Sequence, residues 1–285
     1  MKYILENEFL KIESKNKGAE LTSIYSKKND YEYLWQAGED WAKHSPVLFP
    51  IVGDLKDNKI NIEGKDYPMT KHGFARDSEF EVYKVDNNSI TYELKPNEYT
   101  KKLYPYDFIF RVTYELEKES LKIKFKVLNA DKKPIYFSVG AHPAFNCNLK
   151  ENEKFSDYCI EFERAENCGR YVKNHTVSDI PEKFFYNTKQ LELNSKIFAK
   201  DALIFKELKS KQVLLKSKNH KRVVKMNFDS PYFMVWTKKD KFVCLEPAWG
   251  ADDTPTSTGN IEEKEGINKL NQNDQFECDY ELELK

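Results

Sequence analysis

The sequence has no paired cysteines, no long apolar run and no excess of charge of either sign. Its five cysteines, Cys147, Cys159, Cys168, Cys244 and Cys278, are scattered, odd in number and never spaced as C-x-x-C. That spacing argues against a disulfide framework or a zinc knuckle. No apolar stretch reaches the roughly 18 residues that a membrane-crossing helix needs. The amino-terminal MKYILENEFLKIESK breaks its apolar run with Glu6 and Glu8 and does not form the core of a signal peptide. Reduced cysteines without an export signal make the cytoplasm the expected location.

Charge is balanced, with 46 basic and 47 acidic side chains and a formal net charge of -1. No basic footprint for nucleic acid or an anionic membrane is present, nor a single-sign block of the kind that marks an interaction tail. Phosphate loops of the G-x-x-x-x-G-K-[ST] and G-x-G-x-x-G types are missing, as is the nucleophile elbow G-x-S-x-G. Cys147 and Cys244 lie in apolar surroundings that disfavour thiolates. The five histidines, His44, His72, His142, His175 and His220, form no ligand pair of the H-x3-H kind, so no metal is expected.

What is present is two-residue alternation. In LKIKFKV, Leu121, Ile123, Phe125 and Val127 face one way and Lys122, Lys124 and Lys126 the other, as in a strand with one wet face. RVTYELE just before it alternates likewise, and a short linker makes the two a predicted hairpin. SITYEL, IYFSV, YCIEFE, QVLLKS, RVVKMNF, YFMVWT and FVCLEPAW are further strand candidates. Helical periodicity is scarce, and no repeat or flexible linker divides the 285 residues. The expected architecture is all-β, a large antiparallel sandwich forming one domain over 1–285.

Two strand candidates end alike. SVGAHPAFN places His142 before Pro143, and FVCLEPAWGADD places Glu246 before Pro247. Proline restricts the preceding residue to extended geometry, so both ionisable side chains are held stiffly. A fixed histidine and a fixed carboxylate suit proton transfer, though a buried histidine bonded to a carbonyl and a rim carboxylate fit the same spacing. In TKHGFARD, His72 precedes Gly73 with Lys71 and Arg76 nearby. It reads either as part of a tight turn with exposed flanking charges or as a neutral donor to a substrate hydroxyl. Cys244 is two residues from Glu246 in a strand and is expected on the same face.

Taken in order, GAELTSIYSKKNDYEYLW, PVLFPIVGDLKDNKINIEGKDYPMTKHGFARD, SVGAHPAFN, DALIFKELKS, CLEPAWG and the carboxyl-terminal GINKLNQNDQFECDYELEL resemble the aldose 1-epimerase (galactose mutarotase) family. The similarity is greatest to its LacX-like branch, related to hexose-6-phosphate 1-epimerases, and spans essentially the whole chain. The resemblance implies a β-supersandwich and an isomerase that interconverts the α and β anomers of a hexose without cofactor or metal. It casts Glu246 as general base, His142 as general acid, and His72 and Asp201 as substrate-binding residues.

One departure from the family is visible: Asp54 in VGDLKDNK stands where the resemblance leads one to expect an arginine that contacts the sugar. Arg76 or Lys71 is a candidate replacement for that charge. Trp249 and Phe145, beside the two proposed catalytic stretches, are candidates for stacking on a sugar ring, whereas Trp236, inside YFMVWT, reads as core. An unperturbed histidine titrates near pH 6.5, and a neighbouring carboxylate favours its charged form, so His142 is expected to be partly protonated at neutrality. A hexose phosphate as substrate, and a sugar-binding protein without catalysis, remain alternatives. The expected partner is a small-molecule sugar, with the chain a monomer or homodimer.

Overall fold

A computed structural model of the protein describes residues 1–150 and 152–285. Its main layer is a nine-stranded antiparallel sheet in the order 188–192, 158–166, 212–217, 223–228, 275–284, 120–129, 108–117, 89–94 and 81–85. The predicted hairpin is at its centre: Phe108–Glu117 pairs with Ser120–Asn129 in register from Phe108 opposite Asn129 to Glu117 opposite Ser120. Lys118 closes the turn with a positive φ of 53°. The alternation works as expected, since Leu121, Ile123, Phe125 and Val127 are buried while the intervening lysines are only partly so.

A second sheet has the order 203–205, 232–236, 242–249, 139–141 and 47–48, with Ala144–Asn146 also paired to Phe242–Trp249. A four-stranded sheet comprises 2–6, 10–15, 21–26 and 31–32. Phe110, Val112 and Phe125 from the large sheet share one apolar cluster with Phe233, Val235, Val243 and Leu245 from the second. Burial of these side chains between layers is the main stabilising term of such a fold. Among the described residues the single α-helix is Glu98–Lys101, which Asn97 caps by accepting from the backbone of Tyr99 and Thr100.

One strand assignment changes. IYFSV is two strands: Ile135–Phe137 pairs with Asn268–Leu270, and Val139–Ala141 joins the second sheet. Between them the Ser138 N–H donates to the Pro50 carbonyl, so one apolar run serves two sheets.

The strand Phe242–Trp249 is buried along its whole length, and its parity divides it between two environments. Val243, Leu245 and Trp249 enter the main core, whereas Phe242 and Cys244 join Ala144, Trp35, Trp41 and Trp236 in a separate cluster. Glu246 shares the parity of this second set.

Candidate active site

On that second face is a cavity of about 270 Å³ lined by Trp41, Lys71, His72, Arg76, His142, Lys173, Asp201, Ala202, Ile204, Met234, Trp236, Glu246 and Asp252. Larger grooves of about 600 and 890 Å³ exist elsewhere, but neither brings a buried acid and base together. The six-stranded sheet supplies Glu246, Met234 and Trp236, for Met234 pairs with Glu246 and Trp236 with Cys244. His142 sits between Val139–Ala141 and Ala144–Asn146, its N–H donating to the Pro46 carbonyl at 3.1 Å. Chain segments around 173 and 201–204 complete the lining.

Nε2 of His142 lies 3.5 Å from Oε1 of Glu246, and both side chains are almost fully enclosed. Trp41 stacks on the imidazole, ring centroids 5.1 Å apart and planes 30° from parallel. Trp236 meets the same imidazole edge-on at 5.7 Å. Burial disfavours the charged form of each group. It pushes the Glu246 carboxyl up to about 8, the charges of Lys71 and Lys173 only partly countering it. It pushes the His142 imidazole down to about 3. The expected partly protonated histidine is thereby corrected: desolvation, added to by the charges of Lys71 and Arg76, disfavours the imidazolium, and burial favours Glu246 as the protonated member of the pair.

His72 is held by reciprocal hydrogen bonds to Gly53. Its N–H donates to the Gly53 carbonyl at 2.9 Å, and its Nδ1 accepts from the Gly53 N–H at 3.0 Å. With Nδ1 an acceptor, the neutral ring carries its proton on Nε2. Burial, reinforced by His142, keeps this imidazole well below its ordinary pKa. The tight turn expected in TKHGFARD is present, with the Gly73 N–H donating to the Thr70 carbonyl at 2.9 Å and Gly73 at a φ of 70°, and it sets the neutral His72 in the cavity wall. His72 also has a positive φ of 66°, a conformation that costs a non-glycine residue energy unless its surroundings enforce it.

The departure at Asp54 resolves into an ion cluster. Asp54 approaches Nζ of Lys173 at 2.7 Å and Nζ of Lys71 at 3.3 Å, while Lys173 also pairs with Asp252. Burial alone would raise the Asp54 carboxyl, but Lys173 and then Lys71 hold it below its usual value. Asp252 accepts in addition from the Asp54 N–H at 2.9 Å. Gly53, at a φ of 76°, lies so close to Asp252 that a Cβ there would collide with the carboxylate.

Five of the seven residues proposed from sequence, Glu246, His142, His72, Arg76 and Asp201, line the cavity. Phe145 and Trp249 do not. Phe145 is opposite Val243 in the sheet and fully buried in the main core. Trp249 is three residues from Glu246, which turns it to the opposite face. Trp236, read as core, lines the cavity instead. Trp41, Lys173 and Asp252 were missed, since no sequence pattern marks them; Trp236 shares the face of Glu246 through the register that sets Met234 opposite Glu246 and Trp236 opposite Cys244.

Cys244 shares the face of Glu246 as expected, and His142, Cys244 and Glu246 each present one donor atom within 4.8 Å of the others. A cation held by these three would take Cys244 as a thiolate; without one, burial, reinforced by Glu246, holds the thiol well above its usual pKa. Among the described residues no helix is long and apolar enough to cross a membrane.

Residues 1–280 match the family model for aldose 1-epimerase. The chain is 36% identical over 295 residues to the chromosomally encoded protein LacX of Lactococcus lactis subsp. lactis, covering 98% of each chain. Among solved structures it is similar to a galactose mutarotase related enzyme from Lactobacillus acidophilus, with a TM-score of 0.95 and 35% identity over 100% of this chain and 97% of that one. It is also similar to a galactose mutarotase-like protein from Lactobacillus casei, with a TM-score of 0.90 and 28% identity over 100% of both. By its sequence over nearly its full length, and by its fold, the chain belongs to the aldose 1-epimerase family.

Proposed function

We propose that the protein is an aldose 1-epimerase that interconverts the α and β anomers of a hexose, with Glu246 and His142 as the proton-transferring pair. The observation that carries this reading is the 3.5 Å approach of Nε2 of His142 to Oε1 of Glu246 inside one cavity. With one group pushed up to about 8 and the other down to about 3, the pair holds one proton across the intervening range.

One proton is what the reaction requires. In ring opening the Glu246 carboxylate takes the proton of the anomeric hydroxyl and His142 in its protonated form gives one to the ring oxygen. The bond from C1 to the ring oxygen breaks and the carbonyl at C1 forms. The pair is left as carboxylic acid and neutral imidazole, the form that burial favours. After rotation about the C1–C2 bond, reclosure on the other face reverses both transfers. Entry into the cycle needs the proton to pass from Glu246 to His142, a transfer that the positive charges of Lys71 and Lys173 assist by stabilising the carboxylate.

The neutral His72 donates from Nε2 to a sugar oxygen, Asp201 accepts from a hydroxyl, and Trp41 and Trp236 offer apolar surface to the C–H face of the ring. A second reading, a hexose 6-phosphate as substrate, is favoured by Arg76. Its guanidinium lines the cavity, its Nε is buried without a hydrogen-bond partner, and its nearest carboxylate oxygen, on Asp77, is 3.6 Å away. An arginine so placed matches a phosphate.

Anomer exchange followed by NMR, with α-glucose, α-galactose and their 6-phosphates and with Glu246→Gln as the paired control, tests both readings. Acceleration that disappears in the control supports the epimerase and identifies its substrate class. Folded protein that accelerates none of the four leaves a sugar-binding protein without catalysis.

A further inference from the structure

We infer that Lys173 and Asp252 form a preassembled clamp that reads two adjacent hydroxyl groups of the sugar, the ammonium donating to one and the carboxylate accepting from the other. The inference rests on the cavity being a sugar site, as proposed above, and makes a residue absent from every recognisable motif a determinant of specificity.

Lys173 is a nearly buried cation, its side chain 7% exposed, held between Asp54 and Asp252. An ammonium has three N–H donors. Two carboxylates take two of them, and the residue lines the cavity, so the third is available to a ligand there. Asp252 lines the same cavity and has a second, independent anchor in the Asp54 N–H. A sugar hydroxyl both donates and accepts, so a donor and an acceptor locked side by side match a pair of neighbouring hydroxyls.

The clamp is rigid before any ligand arrives. Lys173 belongs to a short hairpin in which Lys173–Asn174 pairs with Thr176–Val177. Two backbone bonds tie this hairpin region to the site: the Val177 N–H donates to the Asp253 carbonyl and the Tyr171 N–H to the Ile204 carbonyl, both at 2.9 Å. A flexible lysine would lose side-chain freedom on binding, whereas one already fixed by two carboxylates loses little. A buried ion cluster is a poor source of stability compared with apolar packing, which makes a role toward a ligand the better account of its presence. Glu246 feels the same charge, since Lys173 favours its carboxylate.

The test is a cycle between residue and substrate. Quenching of tryptophan fluorescence, with Trp41 and Trp236 in the cavity wall, gives Kd for glucose, galactose and their 2-, 3-, 4- and 6-deoxy analogues with wild-type protein and Lys173→Met. The expected result is at least a tenfold weakening of the parent sugar in Lys173→Met, with less than a twofold effect for the one analogue that lacks the clamped hydroxyl. If Lys173→Met, which leaves Asp252 without a cation and Asp54 with Lys71 alone, does not give folded protein by circular dichroism, the charge-balanced Asp54→Asn/Lys173→Met replaces it with the same expectation. An unchanged Kd, or equal weakening of the parent and every analogue, overturns the clamp; with anomer exchange intact in wild type, the epimerase reading survives. The selective pattern without anomer exchange by wild type supports the clamp and overturns the epimerase. Failure of wild type to bind either hexose or either hexose 6-phosphate overturns both.

Discussion

Met234 and Glu246 are directly opposite each other on neighbouring antiparallel strands, so the proposed base projects from a fully buried strand rather than from a loop. A carboxylate fixed in this way has little freedom to leave its position beside His142. Positioned proton transfer typically contributes on the order of 10²- to 10⁴-fold. Glu246→Gln and His142→Asn are each expected to lower kcat for anomer exchange by that order, and near wild-type turnover in both variants would remove the pair from the mechanism.

Stability should respond to Glu246 in the opposite sense. Its carboxyl is raised in the folded protein to about 8 from an ordinary 4.5, so between those values the folded chain binds more protons than the unfolded one. The linkage relation then makes this group erode stability as pH rises through that window. Glu246→Gln removes the effect, and its Tm should exceed that of wild type at pH 8.5 by a margin that shrinks toward pH 5. A constant Tm difference across the range would contradict the raised pKa.

The same proton governs activity. Above about pH 8 the pair loses its one proton, leaving nothing to give to the ring oxygen. Enzymic kcat/KM, corrected for the spontaneous reaction, is expected to fall above that pH. A rate still rising at pH 9.5 would show that His142 and Glu246 do not share the proton as described.

His72→Asn keeps a residue type that tolerates the positive φ but removes the imidazole donor. KM should rise about fivefold with kcat changed far less, in line with loss of a hydrogen bond of roughly 1 kcal/mol. A fall in kcat alone would place His72 in the chemical step.

Arg76→Ala separates the two substrate readings. With a hexose 6-phosphate as substrate, KM for the phosphate should rise at least tenfold while any exchange of the free hexose is unaffected. Equal KM changes for both would count against a phosphate at Arg76.

Much of this protein was determined by local pattern. Period-two alternation in RVTYELE and LKIKFKV dictates a hairpin because each strand must bury one face, and the paired proline motifs marked His142 and Glu246 before any contact was known. The orientation of Trp249 is legible in the same way, for a residue three positions from Glu246 in a strand faces away from it. Other features belong to the tertiary structure alone. Burial of His142 and Glu246 reverses the protonation expected from their ordinary pKa values, because the desolvation of a group depends on all the chain that surrounds it. Lys173 comes from a short hairpin with no pattern of its own, and it reaches Asp54 and Asp252 only because the fold closes that hairpin over the sheet. The proposed acid and base stand in short stretches of sequence; their proton affinity, and the cation beside them, are decided by packing between distant ones.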